Sequence, residues 1–166
     1  MRKLLLILMV TCLSVSPTAA QAPASGKSAT TWKCTPPSPA NALPVGDAPN
    51  HMYVIEQIKC TATKGEIAGV KQTEGTATEF VDATGDTSKG QGVFVETLAN
   101  GDKGFYSYTF TGNSKNKVIV SGSNNWTLTG GTGMLKGAKA SGTCAAKGSP
   151  DGGMTFDCTG TYTLAK

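Results

Sequence analysis

Arginine is almost absent from this chain: Arg2 is the only one, and His51 is the only histidine. Proteins that grip nucleic acid rely on clustered arginines, whose planar guanidinium bonds phosphate or guanine through two parallel contacts. The other basic residues are lysines scattered singly among Thr, Ser and Gly, which is the pattern of solvated surface charge. No nucleic-acid partner is expected. A single histidine also leaves no ligand set for zinc and no base for a serine or cysteine nucleophile, and no G-x-S-x-G elbow is present. His51 reads as a surface or rim residue, and neither metal nor cofactor is expected.

Long apolar runs are scarce as well. The chain opens MRKLLLILMVTCLSVSPTAAQAPA, with Arg2 and Lys3 ahead of an apolar stretch from Leu4 to Val15 and small residues at Thr18-Ala19-Ala20. This is the layout of a secretory signal peptide over 1–20, with cleavage expected before Gln21. Cys12 could instead be a lipid-attachment site, but Thr11 before it is a poor small residue. Elsewhere no run approaches the roughly 18 apolar residues of a membrane span, so none is expected. The protein is expected in the periplasm or outside the cell. Without Arg2 and Lys3 it carries 13 basic and 11 acidic residues, a net charge of +2.

Phosphate-binding motifs are missing where they would be sought first. Trp126–Thr143 reads WTLTGGTGMLKGAKASGT, rich in glycine with lysines beside it. A Walker loop needs G-x-x-x-x-G-K-[ST], and no glycine here satisfies that spacing. A dinucleotide fingerprint starting at Gly131 and Gly133 would need glycine at 136, where Lys136 stands. The stretch reads as a wide turn between two strands, with glycine supplying positive φ and close approach.

No apolar stripe of helical period runs longer than two turns. What the chain does have is short runs of Thr, Val and aromatics, punctuated by glycine or by Asn-Gly and Asp-Gly. These predict strands near 51–63, 71–83, 91–99, 104–112, 117–129, 138–147 and 153–164. Asn100-Gly101-Asp102 and Asp151-Gly152-Gly153 are hairpin signals. Residues 21–50, rich in Ala, Pro and Ser, read as an extended arm with one short strand at 30–35, and residues 51–166 as the main domain. With the arm strand the count is about eight, an all-β antiparallel up-and-down meander closed as a barrel or folded as a sandwich.

Beyond Cys12 four cysteines remain, an even number in an exported chain, which predicts two disulfides. Cys144 and Cys158 lie symmetrically about Asp151, so a hairpin centred there sets them face to face. Cys34 and Cys60 then pair by elimination, tying the arm to the first long strand.

Period-two alternation places Tyr106, Tyr108 and Phe110 on one face of their strand. Val118, Val120, Gly122, Asn124, Trp126 and Leu128 share a face of another. Met52, Val54, Glu56, Ile58 and Cys60 share a third, where Glu56 is a carboxylate among apolar neighbours. If these faces point inward, Glu56, Tyr106, Tyr108, Asn124 and Trp126 form an aromatic lining with few polar groups, suited to a small molecule.

The stretch Trp126–Thr143, supported by Asn100-Gly101-Asp102-Lys103, resembles the glycine signature of the allene-oxide-cyclase-like and dirigent-like β-barrels. It is most similar to small exported bacterial proteins of that type whose function is uncharacterised. The resemblance implies an eight-stranded antiparallel barrel with a central cavity. The dirigent form of the motif carries an arginine near the pocket. Lys139 stands at the matching position here and lacks the planar fork.

The functional reading leans to a non-catalytic exported barrel that binds a small apolar or aromatic molecule, uncharged or weakly charged. A cyclase or isomerase, in which a shaped cavity holds a reactive conformation, is the alternative. An inhibitor or envelope-interaction module using the arm is a third, favoured by a filled interior.

Overall fold

The computed structural model describes residues 24–115 and 118–166; the leader 1–20, Cys12 and Gln21 lie outside the described residues. The strands are β1 (Ser25–Cys34), β2 (Ala40–Pro44), β3 (His51–Ile67), β4 (Val70–Thr84), β5 (Thr87–Leu98), β6 (Lys103–Lys115), β7 (Val118–Gly131), β8 (Lys139–Gly148) and β9 (Met154–Thr163). From β3 to β9 each strand pairs antiparallel with the next, and β1 pairs with both β9 and β3. Eight strands thus close into a barrel and β2 is an addition to it. No helix among the described residues is long and apolar enough to cross a membrane.

Each strand expected from alternation is present, usually a few residues longer. The two hairpin signals lie where the chain reverses: Gly101 between β5 and β6 has φ 87°, and Gly152 between β8 and β9 has φ 83°. Residues with a Cβ are strained in that region, so glycine there sets the turn. The two expected disulfides are formed, Cys34–Cys60 with Cα atoms 4.0 Å apart and Cys144–Cys158 with Cα atoms 3.9 Å apart. In both cases the two cysteines are direct ladder partners.

The arm differs from its reading. The short strand at 30–35 is in fact the ten-residue β1, a full wall strand. Beyond Cys34 the chain leaves β9 but keeps following β3, with the Thr35 amide donating to Lys59 O and the Ser38 amide to Gln57 O. It then forms β2 against Met52–Glu56. The prolines of this segment are tolerated because β2 lies on an edge, where one side of the ladder is unpaired.

The register shifts at several places, and one shift changes an expected face. In the β6–β7 ladder Ser114 faces Ile119 while Asn113 faces Ser121, so Val120 is an extra residue. This bulge turns Ile119 inward and leaves Val120 44% exposed, contrary to the face expected for it. From Gly122 to Leu128 the expected parity holds.

One end of the barrel is closed by Ile67, Leu98, Leu128 and Leu135, the last with no exposed surface. Leu135 comes from the glycine stretch, which turns β7 into β8 through a single 3-10 turn at Gly133–Leu135. Asp102 fastens this turn to the β5–β6 hairpin, its carboxylate accepting from the Met134 amide at 3.0 Å and from Asn100 Nδ2 at 2.9 Å. The glycine stretch therefore plugs the closed end. The opposite end carries Pro36, Val54, Ala83 and Val118 around an opening.

At that open rim His51 is held between two carboxylates, Nδ1 to Asp47 at 2.5 Å and Nε2 to Asp82 at 3.0 Å. The hydrogen bond to Asp47 raises the imidazole above its ordinary value of 6.5, with Asp82 adding to the effect against partial desolvation. The bond to His51 likewise holds Asp47 below its ordinary 3.8. A raised histidine contributes stability below its unfolded value and loses it as pH rises through its folded one. A depressed aspartate contributes above its unfolded value and loses it as pH falls. The clasp should therefore fasten the β2–β3 hairpin best between about pH 4 and about pH 6.5. Hydrogen exchange should show the protection of the Val45 amide, which bonds His51 O, falling from pH 6 to pH 9, after allowance for intrinsic rates. His51→Gln should remove that pH dependence, and an unchanged profile would show that the clasp does not hold the hairpin.

Candidate functional site

The interior holds a cavity of about 420 Å³, open at the β2 end. Side chains from every wall strand reach it because inward positions recur at period two along strands of ten or more residues. All five residues expected to line it do so: Glu56 from β3, Tyr106 and Tyr108 from β6, Asn124 and Trp126 from β7. Trp32 and Phe94 join them, their rings 5.0 Å apart edge to face, and Tyr106 meets Trp126 the same way at 5.7 Å. Lys139, by contrast, is exposed and does not line the cavity.

Glycines create the room. Trp126 lies over the ladder pair Gly142–Gly160: a Cβ on Gly142 would stand 2.5 Å from Trp126 Cζ2, and one on Gly160 2.4 Å from it. Gly92 sits between Glu79 and Tyr108 across two ladders. A Cβ on Gly92 would lie 2.6 Å from Tyr108 Oη and 2.8 Å from Glu79 Cβ, so the missing side chain lets tyrosine reach over one strand to the carboxylate. The Tyr108 hydroxyl donates to Glu79 Oε2 at 2.6 Å. Gly104, two residues before Tyr106 and the ladder partner of Glu96, leaves room for a second pair, in which the Tyr106 hydroxyl donates to Glu96 Oε1.

Glu79, Glu96 and Gln72 also line the cavity, and alternation had not singled them out. Glu79 is 8% and Glu96 only 1% exposed, unusual depths for carboxylates. Glu96 is satisfied on both oxygens, because Gln72 Nε2 donates to Oε2 at 2.7 Å, and Thr30 in turn donates to Gln72 Oε1. Burial still pushes Glu96 above the ordinary carboxylate range, against the lowering effect of its Tyr106 and Gln72 bonds. Both tyrosines are raised, first by burial and then by their glutamate partners, so they stay protonated donors. The signal was available. Glu96 stands two residues from both Phe94 and Leu98, and Glu79 two from Ala77 and Val81, so period two assigns each to the buried face.

Glu56 and Glu79 are direct partners in the β3–β4 ladder. Burial, then the hydrogen bond with Glu79 and its charge, push Glu56 up to about 7. Among the described residues, three buried polar atoms on the lining have no protein partner: Ser88 Oγ, Asn124 Oδ1 and Trp126 Nε1. Among the described residues no group of three or more His, Cys, Asp and Glu is placed to hold a metal ion. The arrangement offers an apolar, aromatic chamber, hydrogen-bonding groups for a guest, and one carboxyl poised near neutrality.

Neither a protein-family model nor a curated protein matches the chain. Among solved structures it is similar to the pterocarpan synthase dirigent protein GePTS1, at 13% sequence identity and a TM-score of 0.50. The match covers 93% of this chain and 98% of that one. At that identity the likeness speaks for the fold alone, and the chain has a dirigent-like β-barrel fold.

Proposed function

We propose that this barrel is an exported, non-catalytic protein that binds a small apolar or aromatic molecule in its interior. The observation that carries the reading is the open cavity of about 420 Å³ with a mainly aromatic and aliphatic wall. That size and lining are usual for small-molecule sites. Asn124 and Glu56 are the groups proposed to orient the guest. Export is supported by the two disulfides, which persist in oxidising compartments. A cyclase or isomerase is the second reading. It is favoured by one feature, Glu56 held near neutrality beside Glu79, where a carboxyl can give or take a proton. The envelope-interaction reading called for a filled interior, and the cavity removes that support.

Native mass spectrometry of protein from its own compartment tests both halves of the first reading. The expected mass is that of a chain starting at Gln21, with a retained small molecule of a few hundred daltons that organic solvent strips away. An empty protein that also takes up no 2-(1-naphthyl)ethanol by calorimetry would refute the binding reading. A chain carrying lipid on Cys12 would refute the soluble exported form. A guest released chemically altered, and released unaltered by Glu56→Gln, would favour the second reading.

A further inference from the structure

The charge of the cavity wall has one sign. Among the described residues its ionisable side chains, apart from the bridged cysteines, are Glu56, Glu79, Glu96, Tyr106 and Tyr108, with no Lys, Arg or His. An ionised carboxylate in an apolar interior is costly unless paired, and no cation is built into this wall to pair it. Glu96 is excused from that need, because Tyr106 and Gln72 donate to its two oxygens. Glu79 receives Tyr108 on Oε2 and, while Glu56 is protonated, the Glu56 proton as well, whereas Glu56 itself receives no donor among the described hydrogen bonds. The unmet hydrogen-bonding capacity is therefore mostly acceptor capacity. Ser88, only 4% exposed, adds an Oγ without a partner on the same lining.

We infer that the guest is an organic cation, an aromatic or apolar body bearing one protonated amine that sits at the Glu56–Glu79 pair. This rests on the proposal that the cavity binds a small molecule, and it narrows that proposal to one chemical class. An ammonium supplies positive charge and three N–H donors to groups that lack both. Aromatic rings around the cavity favour a cation further, through their negative faces. Trp126 and Phe94 provide the apolar surface for the body. Phenols and alcohols bring donors without charge.

Binding should be linked to pH through Glu56. The titratable groups facing it are Glu79 from β4 and Tyr108 from β6, while β2 places only Ala40 opposite it. Burial and Glu79 push Glu56 up to about 7, so the empty cavity holds a proton there below neutrality. An ammonium must displace that proton, and its affinity should rise with pH until Glu56 is ionised.

Calorimetry on the full mature protein with three probes sharing a naphthalene body tests the inference. The probes are 2-(1-naphthyl)ethylammonium, neutral 2-(1-naphthyl)ethanol and anionic 1-naphthylacetate. At about pH 8 the ammonium should bind about tenfold or more tighter than the alcohol, and the acetate weakest of all. The ammonium should lose about tenfold between about pH 8 and about pH 6, while the alcohol stays level. Glu56→Gln should bring the ammonium close to the alcohol measured on the same variant, and an unchanged near-ultraviolet circular dichroism spectrum shows that the variant is folded. An alcohol that matches or beats the ammonium on the unaltered protein would overturn the cation assignment and leave the cavity reading standing. So would ammonium binding that Glu56→Gln and Glu79→Gln both leave unchanged. Failure of all three probes would overturn the cavity reading and this inference together.

Discussion

Reducing both disulfides should lower the unfolding free energy by roughly 6 kcal/mol on the chain-entropy account. Cys34 and Cys60 are 26 residues apart, and Cys144 and Cys158 are 14 apart. Loops of those lengths correspond to about 3.5 and about 3 kcal/mol of lost denatured-state freedom. The two loops do not overlap in sequence, so their effects should add. A domain of this size is stable by about 5–15 kcal/mol, and the reduced protein should therefore be marginal or unfolded. The two bridges differ in what they hold. Cys144–Cys158 closes a hairpin that its own turn already favours, whereas Cys34–Cys60 fixes the closing strand β1 to β3. Urea unfolding of Cys34→Ala/Cys60→Ala and of Cys144→Ala/Cys158→Ala, alone and combined, measures each. A combined loss under about 2 kcal/mol would show that the bridges constrain little that the sheet does not already fix.

Gly142→Val should destabilise the barrel by more than about 3 kcal/mol and should prevent folding if the reserve is small. A Cβ there would stand 2.0 Å from the Thr159 carbonyl oxygen, 2.5 Å from Trp126 Cζ2 and 2.7 Å from the Gly160 Cα. Two of these obstacles are backbone on the neighbouring strand, which cannot move without breaking the β8–β9 ladder. The third is the ring that forms one wall of the cavity. Gly130→Ala, in the same glycine-rich stretch, is the matched control. Its nearest neighbour would be Phe105 Cδ2 at 3.4 Å, and the cost should stay under about 1 kcal/mol. Thermal unfolding of the two variants side by side checks the pair of values. Equal losses would mean that general glycine loss, not the approach of Trp126 and β9, sets the effect.

The contrast between these two glycines also shows how far the sequence could be read. Alternation over 104–112 and 122–128 rested on aromatic residues flanked, Phe105 apart, by polar or small neighbours, and Tyr106, Tyr108 and Trp126 lie where it put them. Asn100-Gly101 and Asp151-Gly152 marked reversals because positive φ is a local requirement, written in two residues. What could not be read locally was long-range. Nothing near Gly92 says that a tyrosine on β6 passes over it to a glutamate on β4. The bulge at Val120 depends on the partner strand, and β2 depends on β3 offering a free edge to a proline-rich segment. Glu79 and Glu96 are a different kind of miss. Their positions obeyed the same period as their neighbours, and a preference for exposed carboxylates hid them.

The closure of the barrel has a bearing on how the protein comes into being. Ser25 pairs with Thr163, so the first wall strand is completed by the last. The run from β3 to β9 can assemble neighbour by neighbour as the chain emerges, each hairpin meeting the one before it. The cavity cannot exist at that stage, because β1, although it can pair with β3, still lacks its second partner β9, which arrives at the end. Until then both margins of a growing sheet are bare, the condition in which one nascent chain can pair with another. Joining the margins also spans nearly the whole chain, the kind of contact that forms slowly. The cavity and the finished fold therefore come into existence in one event.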